Sequence, residues 1–304
     1  MAGHSYENAY KLLYDVRDGV NENDAGLWAG TDTSGKFSNT YLLSKINAAQ
    51  KRIYALMMRT EARGQFYAST TIVGVDSVYA LPWDFGRLVQ FEDDDGAKVY
   101  PSSPKILPHT GSEGSDRLYY RSGQTFVLNK SGVTDTYTLR YYKMPRNLTY
   151  GSAVATSGVD ALKMASTDTV LRNDYYNGFR VDNYTQGLNT SITDFVASTL
   201  VATTTTGEIT WATADVYGTV SDLPEETHHL IAPLAVILVK SQHPASQERP
   251  TKEEMGLWSE MFMEMLVGFT RDPEDIPIED IFCDFGGGSI GMGVDIPGQG
   301  YTIY

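Results

Sequence analysis

Residues 38–64, SNTYLLSKINAAQKRIYALMMRTEARG, contain the clearest helical pattern in the first half of the chain. Apolar residues recur every three or four positions, the spacing of one face of an α-helix. Ser38 or Asn39 can cap its start and Gly64 can end it, so a helix is predicted over about 38–63. Its apolar stripe is expected to bury area in the core or against another subunit, and it comprises Leu42, Leu43, Ile46, Ala49, Ile53, Leu56 and Met57.

Amphipathic helices are also predicted towards both ends of the chain. One covers about 5–19, with Ser5 as its cap. Another covers about 251–270, where Thr251 and Glu254 have the spacing of a capping box. The broad apolar face of this last helix is expected to pack against helices or subunits, and it includes Trp258, Phe262 and Leu266.

A fourth helix is predicted over about 224–241, within SDLPEETHHLIAPLAVILVKSQH, where the residue types also raise the question of a metal site. A catalytic zinc needs three protein ligands, and the two-histidine helix motif places its histidines four residues apart. The adjacent histidines here would point about 100° apart on a helix. A structural role is favoured, with Asp222 as cap, Pro224 in the first turn, and Glu225 and Glu226 at the positive helix end.

Other candidate chemistry is weaker still. The serine in FGGGSIGMG has no strand-turn-helix context, and no GK[ST] follows these glycines as a phosphate-binding loop would require. The single cysteine, Cys283, has an acidic neighbour that would raise its pKa. Asp93, Asp94 and Asp95 precede Gly96 in what is predicted to be a solvated turn. No catalytic residue, cofactor or metal site is predicted.

Between the first and last pairs of helices the pattern changes to strands. Residues 66–144 contain short segments rich in β-branched and aromatic residues, separated by turn formers, which predicts an antiparallel meander. Pro82 places a corner at residues 81–84. Residues 151–220 are poor in Lys and Arg and rich in Thr, Ser, Asn and Ala, and they are predicted to form a β-rich insertion.

The predicted fold class is therefore α+β, a helical core with an antiparallel β meander, an all-β insertion and an extended C-terminal arm. Residues 1–150 and 221–275 are assigned to the core, 151–220 to the insertion and 276–304 to the arm. The glycines of the arm make ordering costly. We expect its apolar side chains to fill pockets on a partner chain: Ile278, Ile281, Phe282, Phe285, Ile290, Val294, Ile296, Tyr301, Ile303 and Tyr304.

The overall charge and apolar content limit the possible partners. The net charge of −14 argues against a protein that grips nucleic acid, although duplex DNA could slide past such a surface. The longest apolar run is too short to span a bilayer and the start has no signal-peptide pattern, so no membrane partner is expected.

The order of these elements resembles the head-to-tail adaptor proteins of tailed bacteriophages, the connector subunits beneath the portal. A helix like YLLSKINAAQKRIYALMM leads into strands and a corner like YALPWDFGRLVQF, and DLPEETHHLIAPLAVILVKSQ later starts the next helix. The resemblance covers residues 38–142 and 221–272, and NDYYNGFRVD is similar to a β module of phage structural proteins.

The resemblance implies a virion neck protein, assembled in the host cytoplasm, that forms a ring homo-oligomer, typically a dodecamer, without catalysis. Its implied partners are the portal, tail, nozzle or fibre proteins, and double-stranded DNA that passes through the lumen unbound. Acidic residues around a lumen would repel the phosphates.

Two alternatives stay open at this point. The chain could be another tail, nozzle or fibre-attachment protein of the virion. It could also be a carbohydrate-binding or glycan-hydrolysing β protein, in which exposed Trp28, Trp83 or Trp211 would line a groove.

Overall fold

A computed structural model describes residues 7–22, 37–102, 118–129, 132–154, 157–167, 169–242 and 249–269. Four α-helices, two 3-10 helices and thirteen strands lie in these ranges, and nearly every strand pairing is antiparallel. The predicted α+β class is confirmed. The arm, residues 276–304, lies outside the described residues, so its role stays a prediction.

The first two helices begin at polar caps and are tied together at their ends. Helix α1 covers Ala9–Gly19 and is capped by Asn8, whose side-chain oxygen accepts from the Lys11 amide at 2.9 Å. The cap predicted at Ser5 lies outside the described residues. Helix α2 covers Asn39–Met57 and is capped by Ser38, as predicted. The buried Arg17 guanidinium of α1 donates to the Asn39 side chain at the start of α2.

Helix α2 ends earlier than the predicted residue 63. The Thr60 hydroxyl donates to the Met57 carbonyl at 2.8 Å and also accepts from the Ala62 amide at 3.2 Å. These bonds replace the continuing helical ladder and start a 3-10 helix over Glu61–Phe66. The chain therefore reaches the first strand through a tight turn.

The third helix begins with a different geometry from the one predicted. Residues Glu225–Leu230 form a 3-10 helix, and helix α3 follows over Ile231–Gln242. Pro224 occupies the capping position without a side-chain hydrogen bond, and Asp222 is not the cap, because its carboxylate binds Arg146. Helix α4 covers Lys252–Val267, and the predicted capping box of Thr251 and Glu254 is present.

Seven strands between residues 67 and 143 form two sheets. Strands β1 (Tyr67–Val73), β7 (Thr136–Lys143) and β3 (Phe85–Glu92) make a three-stranded sheet in that order. Strands β2 (Val78–Ala80), β6 (Thr125–Leu128), β5 (Leu118–Ser122) and β4 (Tyr100–Pro101) make a four-stranded sheet, in which β4 and β5 are parallel. Between β2 and β3, the Phe85 amide donates to the Pro82 carbonyl at 3.0 Å and closes the corner.

Six strands between residues 150 and 219 form one antiparallel sheet. Its order is β8 (Tyr150–Ser152), β13 (Val216–Thr219), β10 (Arg180–Asn183), β11 (Leu188–Val196), β12 (Val201–Thr204) and β9 (Ala161–Lys163). The N-terminal end of α1 packs on this sheet, where the Asn8 side chain donates to the buried Asp182 carboxylate at 2.8 Å. The sheet and the helices therefore meet through a buried polar contact.

The buried apolar side chains fall into two clusters. One joins all four helices to the six-stranded sheet, with Trp211, Trp258 and Tyr217 among its largest members. The other lies within residues 67–143 and is dominated by rings such as Tyr79 and Phe91. The predicted division into core and insertion stays a prediction. The structure shows that the sheet of residues 150–219 shares its buried side chains with the helices.

Candidate functional site

The predicted helix-packing residues lie inside the chain's own core. Each is at most 6% exposed, so their side chains contact this chain's helices and sheet: Leu42, Leu43, Ile46, Ile53, Leu56, Trp258, Phe262 and Leu266. The indole of Trp258 stacks on Phe262 and donates to the Leu230 carbonyl at 3.0 Å. A neighbouring subunit would have to use the outer faces of these helices.

Arg146 is the centre of a highly connected polar site. Its guanidinium binds Asp222 and lies over the ring of Phe179 at 3.9 Å. It also donates to the carbonyls of Tyr175 and Asn177, at 3.1 and 2.6 Å. Burial lowers the pKa of Arg146, but the hydrogen bonds and charge of Asp222 outweigh it, so the pKa lies above its ordinary value. The site joins three chain segments and keeps a charged guanidinium inside.

Helix α2 reaches the same site through polar side chains. The Gln50 amide donates to the Arg146 carbonyl at 2.7 Å, and its oxygen accepts from the Ser221 hydroxyl at 3.0 Å. Asn47 accepts from the Leu148 amide at 2.7 Å. Gln50 is fully buried although it carries an amide. It satisfies the Arg146 carbonyl in the segment that links the two β regions.

The PEETHH segment lines a cleft of about 250 Å³ beside this site. His228 is buried and its Nε2 lies 2.9 Å from the Leu223 carbonyl, whereas His229 is exposed. Glu225 pairs with Arg180 at 3.1 Å at the cleft mouth, and both side chains are substantially exposed. The two histidines point apart, so they cannot share a ligand.

Most polar side chains of this cleft are held by contacts within the chain. Burial lowers the pKa of His228, although the nearby carbonyls and Glu225 oppose the shift. The Nδ1 of His228 has no hydrogen-bond partner among the described residues. Within the same part of the chain, no group of three or more His, Cys, Asp or Glu side chains is placed to hold a metal ion. The geometry therefore fits a structural joint.

The remaining residues singled out by sequence have ordinary structural roles where they are described. Asp93 lies in a turn, where its carboxylate accepts from the Ala97 amide at 2.6 Å. Trp211 is 1% exposed and cannot offer its face to a sugar. The Trp83 indole donates to the Asn173 carbonyl and lies under Arg172. Trp28 and Cys283 lie outside the described residues.

Sequence reasoning does not find the polar joint. Arg146 follows a strand in KMPRN, and nothing local to that segment predicts a partner 76 residues further on. The pattern around Asp222 predicts a helix cap instead. A weak signal is present in Gln50, a polar residue bordering the apolar stripe of α2.

The chain belongs to a known family of phage proteins. The family model described as SU10 adaptor protein matches residues 11–199, more than half of the chain. The resemblance to head-to-tail adaptors is thereby confirmed, and the chain is a phage structural adaptor. The match includes most of residues 151–220 but not 221–272, so it is placed differently from the resemblance described above. A search among curated proteins finds no match.

The family implies contacts with other head and tail proteins and a place in the virion. No helix in the described part of the chain is long and apolar enough to cross a membrane.

Proposed function

We propose that this adaptor forms a ring between the portal and the tail, through which double-stranded DNA passes. Membership of the SU10 adaptor family is the observation that carries the proposal. The joint around Arg146 fits a structural role, because a satisfied buried polar network makes the part of the fold that it joins rigid. The ring is a dodecamer in the virion neck, assembled in the host cytoplasm, and it performs no catalytic step.

The proposed ring holds DNA weakly because of its charge. The net charge of −14 repels phosphates, whereas clustered cations would bind them with release of counterions. DNA therefore moves through the lumen without specific binding. The outer surface meets tail, nozzle or fibre proteins.

The C-terminal arm is proposed to dock on the portal. It combines many glycines with apolar side chains such as Ile278, Phe282 and Tyr301. Burying those side chains in grooves between portal subunits would offset the cost of ordering the glycines. The arm follows α4, which is anchored in the core through Trp258 and Phe262. Docking of the arm would then place the rest of the subunit beneath the portal.

Co-purification with the portal tests this function. The full chain and a chain lacking 276–304 are each mixed with purified portal and separated by sedimentation. We expect the full chain to travel with the portal and the shortened chain to remain free but folded. Ile278→Ser with Phe282→Ser should weaken binding in the same way. The matched control, Val159→Ser with Leu171→Ser, changes exposed apolar residues of the described region and should bind normally.

Two results would contradict the proposal. Normal portal binding by the shortened chain would remove the arm from the mechanism. Failure of the full chain to bind portal, combined with binding to purified tail proteins, would place the protein elsewhere in the virion. Images of the virion neck would give the ring size directly.

A further inference from the structure

Helix α2 presents a basic stripe on its outer side. Alternating steps of four and three residues, the repeat of packed helix pairs, connect Tyr41, Lys45, Ala48, Arg52 and Ala55 on the helix, and Arg59 follows one step further on, in the turn just after the helix ends at Met57. None of them is buried, and Ala48 and Ala55 are exposed. The helix contains no acidic residue, although the chain has a net charge of −14. We call these six residues the basic stripe.

Helix α4 presents an exposed stripe of the opposite charge. The same alternating steps connect five exposed residues: Glu253, Leu257, Glu260, Glu264 and Val267. Its two apolar members, Leu257 and Val267, are 59% and 57% exposed, although Trp258 beside them is buried. The helix has no basic residue after Lys252. We call these five residues the acidic stripe.

The two stripes cannot meet extensively within one subunit. Helices α2 and α4 both pack on α3, which is buried along most of its length, and they have no substantial contact with each other. Neither helix therefore covers the exposed face of the other. A contact that joins two different patches of identical subunits is heterologous, and repeating it generates a ring or a filament.

We infer that the basic stripe of one subunit packs against the acidic stripe of the next. Glutamates and cations with the same repeat can pair along two adjacent helices. Ala48 and Ala55 leave room for close approach, and Leu257 and Val267 supply apolar area that is exposed in the isolated subunit. This inference rests on the proposed ring and identifies the surfaces that close it.

Other partners explain only half of these observations. A nucleic acid would use the cations of α2 and leave the exposed leucine, valine and glutamates of α4 without a role. The acidic segment DPEDIPIED at residues 272–280 would likewise engage α2 alone. A second copy of the subunit accounts for both stripes and for their matching repeat.

Charge exchange between subunits provides the test. The α2 variant carries Arg52→Glu and Arg59→Glu, and the α4 variant carries Glu260→Arg and Glu264→Arg. Self-association of the full-length protein is measured by sedimentation velocity over a concentration series at low and high salt. Each variant alone brings like charges together, so we expect its self-association to weaken by about 10- to 100-fold. In an equimolar mixture, opposite charges can face each other at contacts between the reversed stripes, and assembly should recover towards the wild-type level.

Controls separate assembly from folding. Asp194→Arg with Glu208→Arg reverses two exposed carboxylates, one on strand β11 and one in the turn after β12, and should leave assembly unchanged. Thermal unfolding of the α2 and α4 variants at dilution should remain a single cooperative transition, which shows that the subunit is still folded. Ala55→Trp gives a further variant, because an exposed bulky ring should keep the helices apart without altering charge. High salt should weaken wild-type assembly.

Each outcome either supports or contradicts the contact between the two stripes. Recovery in the mixture, but not in either variant alone, supports the inference. Rings that persist in both variants would overturn it while leaving the proposed function intact, since the portal-binding test does not depend on these side chains. A full-length protein that stays monomeric at every concentration would also overturn it. An α2 variant that loses only DNA binding would assign the basic stripe to nucleic acid instead.

Discussion

Arg146 and Asp222 meet through two parallel hydrogen bonds, from Nε to Oδ2 at 2.9 Å and from Nη2 to Oδ1 at 3.0 Å. The Arg146 backbone amide adds a third bond to the same carboxylate at 3.2 Å. The pair joins the segment that leaves β7 to the segment that starts the 3-10 helix before α3. Two distant parts of the sequence are therefore locked by one ion pair.

Replacing Asp222 with Asn should destabilise the fold strongly. The change keeps the shape of the side chain but leaves a buried guanidinium without its counter-charge. Because Asp222 is 22% exposed, we expect a loss of about 2–4 kcal/mol in the free energy of unfolding, slightly less than for a fully buried pair. Urea unfolding, monitored by circular dichroism, measures this loss.

Glu225→Gln is the matched control. It breaks the Arg180–Glu225 pair, whose side chains are 39% and 54% exposed, and should cost at most about 1 kcal/mol. Equal losses for the two variants would show that burial does not set the strength of the Arg146–Asp222 pair.

Stability should fall in mild acid because of His228. Burial lowers its pKa in the folded state, although the Leu223 and Ser221 backbone and Glu225 oppose this, and Arg180 lowers it further. Below the ordinary value of 6.5 the unfolded chain binds the proton and the folded chain resists it, so stability is full above that value and declines as the pH falls. His228→Gln should flatten this decline as the pH is lowered from about 7.5 to about 5.5.

The comparison uses the midpoint of urea unfolding at each pH. His229→Gln, at an exposed position, should keep the wild-type decline. A decline that is unchanged in His228→Gln would show that His228 does not cause it. Glu254, whose pKa is lowered through Lys240 and Thr251 despite partial burial, would reduce stability only below its ordinary value of 4.5, outside this range.

Gly218→Ala should loosen the contact between α1 and the six-stranded sheet. A Cβ at this position would lie 2.9 Å from the Tyr10 backbone nitrogen and 3.0 Å from the Asn8 side-chain oxygen. Because the backbone cannot move away from this Cβ without distortion, we expect a loss of about 1–3 kcal/mol in the free energy of unfolding. Gly158→Ala has open space around its Cβ and should be neutral or slightly stabilising. Thermal melts of both variants measure the difference.

Two neighbouring residues of α4 should behave in opposite ways. Trp258→Ala removes a stacked, buried indole and its bond to the Leu230 carbonyl, and should cost about 3–5 kcal/mol. Leu257→Ala changes an exposed side chain and should alter stability by at most about 0.5 kcal/mol. The free energies of unfolding of the two variants, measured by chemical unfolding of the dilute monomer, should therefore differ by several kcal/mol. A large loss for Leu257→Ala would mean that it is packed within the subunit.

The sequence is most informative where a pattern is periodic and local. The stripe of α2 and the capping box of α4 are both predictable, because the partners lie within one or two helical turns. The predicted end of α2 is too late, since Thr60 competes for the Met57 carbonyl in a way that no periodicity shows. The 3-10 geometry before α3 escapes prediction for a similar reason.

Long-range pairings are beyond the reach of these patterns. Strand segments are identified from β-branched and aromatic content, but the pairing of β1 with β7 depends on residues far apart in the chain. The same applies to Arg146 and Asp222, and to Gln50, whose buried amide donates to the Arg146 carbonyl. Buried polar contacts of this kind can hardly be recognised from the amino-acid composition of the segments that make them.

Strands β1 and β7 run side by side, with Tyr67 opposite Tyr142. The first and last strands of these two sheets are therefore neighbours, so the chain enters and leaves the sheets at adjacent positions. The two sheets enclose a buried cluster of their own, rich in aromatic rings. Because this cluster is separate from the one that the helices share with the six-stranded sheet, the size of the two sheets can change without opening the helical core.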